Sequence, residues 1–114
     1  MDADRFQRIA KALADPRRFE ILETIAASGD EMCCGSVVEC FPVAQATVSH
    51  HLRELTHAGL IDTRTEGQFK YLRARPEALI EYIEELARRV GLDPPGQTPR
   101  LKRSSRKRAA RARA

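Results

Sequence analysis

Apolar residues recur at helical steps in five stretches of the chain and at strand spacing in one. The clearest helix is 43–60, where Val48, Leu52, Leu55 and Ala58 follow one another at steps of four, three and three and form a single stripe. Pro42 stops whatever precedes this helix and Gly59 supplies a left-handed residue to end it, although Ala44 is a poor N-cap. The opposite edge bears Gln45, Thr47, Ser49, His50 and Arg53, short or forked hydrogen-bonding side chains with almost no apolar bulk. Such an edge suits base edges and phosphates in a DNA major groove. An ordinary surface helix would carry more Glu and Lys there, and composition alone leaves both readings open.

Ahead of it, Asp4 is the expected N-cap of a first helix over RFQRIAKALA, with Phe6, Ile9, Ala10 and Leu13 on one face. Asp15-Pro16 then reads as a second N-cap followed by proline at the first helical position. The second helix should run over 16–28 and be largely buried, with Phe19, Leu22 and Ala26 on its apolar face, Ile21 and Ile25 beside them, and Gly29 closing it. Val37, Val38 and Phe41 give a short helix over 36–41, which together with 43–58 makes a helix-turn-helix.

Beyond Gly59, LIDTRTEGQFKYLRA carries Ile61, Thr63, Thr65, Phe69 and Tyr71 on either side of Glu66-Gly67-Gln68, the pattern of two strands and a glycine turn. Placed after a reading helix, this hairpin is a wing. Its Arg64, Gln68, Lys70 and Arg73 then either reach the DNA backbone or minor groove or are simply solvated. Pro76 opens a last helix with Glu77 near its start and Arg88 and Arg89 near its end, as the helix dipole prefers. Leu79, Ile80, Ile83, Leu86, Ala87 and Val90 make an apolar face broader than a terminal helix on a small domain needs. With Phe6, Ile9 and Leu13, this face (Leu79, Ile83 and Leu86 at its centre) either packs on the domain's own core or forms a dimer surface. The fold class expected is mainly α with a small β-hairpin: a winged helix-turn-helix in the order α-α-α-α-β-β-α, acting as a homodimer.

Charge divides the chain. Residues 97–114 hold eight Lys or Arg and no acid, so they carry +8 of a total of +4 and leave 1–96 at −4. The basic run has too little apolar content to fold alone and reads as a disordered tail behind a single domain over 1–96. No run of eighteen apolar residues exists to span a membrane, and the polar first residues do not resemble a signal peptide. The expected location is the cytoplasm, where the three cysteines would be thiols. No nucleophile-base pair or phosphate loop stands out, so an enzyme is not expected.

In order and spacing, KALADPRRFEILETI, AQATVSHHLRELTHAGLI and EGQFKYLRA resemble the ArsR/SmtB family of bacterial winged-helix repressors over about 6–91. The resemblance implies a homodimer built from the first and last helices, a double-stranded operator near the promoter it represses, and release when an inducer binds. Carried over by position, Gln45, Thr47, Ser49 and His50 fall where the family contacts DNA, whereas His51, on the inner edge, is a packing and hydrogen-bonding residue.

The inducer is argued from EMCCGSVVEC. Cys33, Cys34 and Cys40 are the chain's three cysteines and lie within eight residues of one another, a clustering that favours a thiolate site over three unrelated core positions. Soft thiolates with no imidazole nearby select thiophilic ions, and three sulfurs suit trigonal As(III) or Sb(III) better than tetrahedral zinc. Arsenite sensors of the family carry Cys-x-Cys, in ELCVCDL, at this place. Here the second thiol has moved one residue forward and Gly35 stands in its usual position. A His-rich last helix of the zinc-sensing kind is missing from 77–91. On a regular helix residues 33 and 40 stand about 10 Å apart. Two sulfurs on one ion stand at most about 4.6 Å apart, so a three-thiol site needs a bend, which Gly35 is expected to permit. The ion would then hold the helix foot in a conformation that tilts the reading helix. A metal-free redox or persulfide switch on the same thiols, and a ligand-independent DNA binder relying on the tail, are the competing classes.

Overall fold

The computed structural model describes residues 1–92; the basic tail, with residues 93–96, lies outside the described residues. Asp2, two residues earlier than expected, caps α1 (Ala3–Ala14) by accepting a hydrogen bond from the Arg5 amide. Asp15 caps α2 (Pro16–Ala27) in the same way, its carboxylate accepting from the Arg18 amide at 3.0 Å. Then come β1 (Met32–Cys33), α3 (Cys34–Glu39), α4 (Gln45–His57), β2 (Ile61–Glu66), β3 (Phe69–Ala74) and α5 (Pro76–Arg89). Gly29, Gly59 and Gly67 all adopt positive φ, and they close α2, α4 and the hairpin turn where the pattern put those ends.

Strand β1 was not expected. It adds a third antiparallel strand to the hairpin, in the order β1-β3-β2, with Met32 opposite Leu72 and Cys33 opposite Tyr71. Two residues are too few to show alternation, and their partners lie far along the chain, so no local pattern betrays the strand. The element order is therefore α-α-β-α-α-β-β-α, with α3 beginning two residues before its expected start.

The core lies where α2 meets α1, α4 and the sheet. Ile9, Ile21, Ile25, Val37, Val48, Leu55, Leu60, Ile61 and Leu72 are sealed from solvent there. On α2 the buried face is centred on Ile21, Leu22 and Ile25, whereas Phe19 is 41% exposed and Ala26 is exposed, a rotation from the face expected. The reason is the spacing of one isoleucine pair: β-branched Ile21 and Ile25, one turn apart, both point into the core, and that turns Phe19 outward. On the first helix, Ala12 rather than Ala10 completes the buried set with Phe6 and Ile9.

Helix α5 closes over α1. The Phe6 ring stacks on Tyr82 with centroids 5.0 Å apart, and the Arg89 guanidinium lies 4.2 Å from the Phe6 centroid. Arg88 and Arg89 both pair with Glu85, which holds that carboxyl down at about 2.

Candidate DNA-reading face and cysteine segment

Helix α4 is seated by Val48, His51, Leu52 and Leu55, all buried. That seating leaves Gln45, Thr47, His50 and Arg53 exposed and Ser49 half-buried along one continuous edge, so the five polar residues expected to read DNA share a free surface. Among the buried residues of α4, His51 is the polar one. Its Nδ1 accepts a hydrogen bond from Arg18 Nε at 3.3 Å, which requires a neutral ring. Burial, with help from the nearby Arg18 charge, lowers its pKa, while Asp15 opposes that shift. The Asp-Pro-Arg-Arg start of α2 thus caps its own helix and anchors the reading helix.

The hairpin stands beside α4, joined to it by a 3.3 Å contact between the Thr56 and Thr63 hydroxyls. Gln68 and Lys70 are exposed on it. Arg64 is placed otherwise than the sequence implied. It forks onto Glu31 through Nε and Nη2 at 2.9 and 2.7 Å, pairs with Glu66 at 2.7 Å, and lies 4.7 Å from the Tyr71 ring centroid. Paired with two carboxylates, it braces β1's approach against the hairpin. Arg73 is paired with Asp62 at 3.3 Å. The Glu31–Arg64 pair is 33 residues apart in sequence, and no spacing rule could have found it.

The cysteines do not converge. Cys33 is extended (φ −68°, ψ 139°) and precedes α3 without a side-chain capping bond, Cys34 is the helix's first residue and packs half-buried against the core, and Cys40 is exposed at its far end. The chain turns at Cys33, where pairing with β3 holds it extended. Gly35 lies inside α3, so the bend expected there falls two residues earlier. Six residues of helix separate Cys34 from Cys40 by about 9 Å along the axis. Among the described residues no three His, Cys, Asp or Glu side chains are grouped to hold a metal ion.

The six residues expected at a dimer surface also separate. Ile9 is wholly inside the subunit and has no surface to offer a partner, Phe6 is covered by Tyr82 and Arg89, and Leu13 and Leu79 pack on the core. Ile83 and Leu86 are 40% and 42% exposed, and Ile80 on α5 and Val90 at its C-cap are more exposed still. The periodicity of α5 had marked Ile80 and Val90 as apolar; what it could not give was which side of a broad stripe faced inward.

A helix-turn-helix domain model matches residues 13–64. The transcriptional regulator YceK of Bacillus subtilis is 37% identical over 76 residues, which cover 67% of this chain and 76% of that protein. The arsenical resistance operon repressor of Staphylococcus xylosus is 32% identical over 85 residues, covering 75% of this chain and 79% of that one. The chain belongs to the ArsR family of winged-helix transcriptional regulators. Its architecture is shared by the homodimeric winged helix-turn-helix DNA-binding domain of a possible ArsR-family regulator from Mycobacterium bovis, with a TM-score of 0.60 at 28% identity over 77% of this chain and 79% of that one. ArsR-family proteins are DNA-binding transcriptional regulators and not enzymes. Among the described residues no helix is long and apolar enough to cross a membrane.

Proposed function

We propose that this ArsR-family protein is a repressor that binds a two-fold operator as a homodimer and releases it when a thiophilic inducer reaches its cysteine segment. The observation that carries the DNA reading is the polar edge of α4: Gln45, Thr47, Ser49, His50 and Arg53 stand free while Val48, Leu52 and Leu55 hold the helix rigidly from behind. Inserted in a major groove, the N-terminal half of α4 reads bases, and Gln68 at the hairpin tip and Lys70 on β3 approach the backbone. The exposed apolar face of α5, around Ile80, Ile83 and Leu86, supplies the two-fold contact.

For the inducer, support comes from relatives named as arsenical resistance operon repressors in Staphylococcus xylosus, Staphylococcus aureus and Bacillus subtilis, together with three thiols in eight residues. Trivalent As(III) or Sb(III) with Cys33, Cys34 and Cys40 as its three thiolates does not fit the present conformation, because Cys40 stands at the opposite end of α3. A three-thiol shell therefore requires α3 to unwind. A metal-free redox or persulfide switch is the second reading, favoured by the same separation, since it needs no convergence of three sulfurs. Operator release titrated with arsenite, antimonite, cadmium, zinc and peroxide separates the two. Release by arsenite alone supports the metalloid reading, release by peroxide alone the redox one, and release by none removes both.

A further inference from the structure

Between α4 and the hairpin lies a cleft of about 320 Å³. Arg53 and His57 of α4 and Lys70 of β3 line it with Ser49, Thr56 and Thr63, and Cys34 forms part of the same wall. None of its lining residues is acidic. The other cations of the hairpin are already committed, Arg64 to Glu31 and Glu66 and Arg73 to Asp62, whereas among the described residues Arg53 and Lys70 have no acidic partner. The position of the cleft matters as much as its charge. A protein that places a helix in the major groove and a hairpin toward the adjacent minor groove straddles the sugar-phosphate strand that separates the two grooves.

We propose that this cleft seats one backbone phosphate of the operator, and that Cys34, lining the same cleft, lets a group bound to its sulfur compete directly with that phosphate. The nitrogens of Arg53, His57 and Lys70 match the oxygens of a phosphodiester, and Leu52 and Leu72 behind them exclude water from its inner side. A group on Cys34 then weakens DNA binding by occupying the seat, with no tilt of α4. The inference deepens the repressor reading and rests on it.

The test uses the full chain carrying Cys33→Ser, so that Cys34 and the exposed Cys40 are its two thiols, with Cys40 as internal reference. Iodoacetamide is the probe: the thiolate forms a carbon–sulfur bond as iodide leaves. With operator at about ten times its Kd, alkylation of Cys34 should slow by about tenfold relative to Cys40, following the fraction of free protein. In the unmodified chain, Lys70→Gln should reduce the slope of log affinity against log salt by about 1. Protein alkylated at Cys34 should show the same reduction, and combining the two should reduce it no further. Unchanged alkylation of Cys34 on bound DNA, or an unchanged slope in Lys70→Gln, overturns the proposal. Protection by inorganic phosphate without protection by operator makes the cleft a small-anion site and overturns it too. Absence of any operator binding sinks the repressor reading as well, whereas intact binding with an unprotected Cys34 sinks this inference alone.

Discussion

Arg18 donates from Nε to Nδ1 of His51 across 3.3 Å, and through this bond the first turn of α2 holds the middle of the reading helix. The bond exists only while His51 is neutral, because a protonated imidazole has no lone pair at Nδ1 and would face the guanidinium as a like charge. Burial lowers the His51 pKa in the folded protein, so the unfolded chain, titrating near the ordinary value of about 6.5, takes up the proton first.

Folding stability should therefore be fully present above that ordinary value and be lost as pH falls from it toward the depressed folded value. Urea unfolding of the native protein and of His51→Gln, at a series of pH values across this window, checks the sign. The loss should be smaller in His51→Gln, and a native protein whose stability rises as pH falls through the window would contradict the assignment.

Replacing Ile83 and Leu86 with Glu should give folded monomers that bind operator poorly, as seen by sedimentation, because these side chains are exposed on the subunit and carry no core load. Ile9→Ala should behave oppositely. It leaves a cavity inside the subunit and should cost about 2–5 kcal/mol of stability while leaving the association of the remaining folded protein intact.

Alanine at Gln45, Thr47, Ser49 or His50 should relax preference at single operator positions, with the largest loss, about 1–3 kcal/mol, at Gln45, whose amide can bond a base in bidentate fashion. Arg64→Ala should reduce the salt dependence of binding less than Lys70→Gln does, since Glu31 and Glu66 already pair with Arg64. Deleting 97–114 should flatten the salt dependence while keeping the preferred sequence. Competition binding with a mutated-operator series at several salt concentrations reads all three outcomes.

Any one of Cys33, Cys34 or Cys40 changed to Ser should retain operator binding and lose part of the inducer response. X-ray absorption on arsenite-loaded protein reports the shell directly. Two sulfur neighbours, with a Cys40→Ser protein that responds fully, would confine the site to Cys33 and Cys34.

What the sequence by itself determined is everything set by neighbours a few residues apart. The stripe Val48, Leu52, Leu55 and Ala58 is buried as its spacing requires, Asp15-Pro16 opens α2, and Gly29, Gly59 and Gly67 end their elements, since capping, φ preference and helical period act over one or two turns. The exposed reading edge followed from the same stripe, because fixing one face of a helix fixes the other. Tertiary structure decided the rest. Strand β1 exists only because β3 comes back to pair with it, Arg64 is paired with a carboxylate 33 residues away, and Ile9 is core while Ile83 is surface although both sit on apolar stripes. In each case the deciding energy is a contact between distant segments. Periodicity reports that a face is apolar, but the partner that covers it is chosen only when the chain folds.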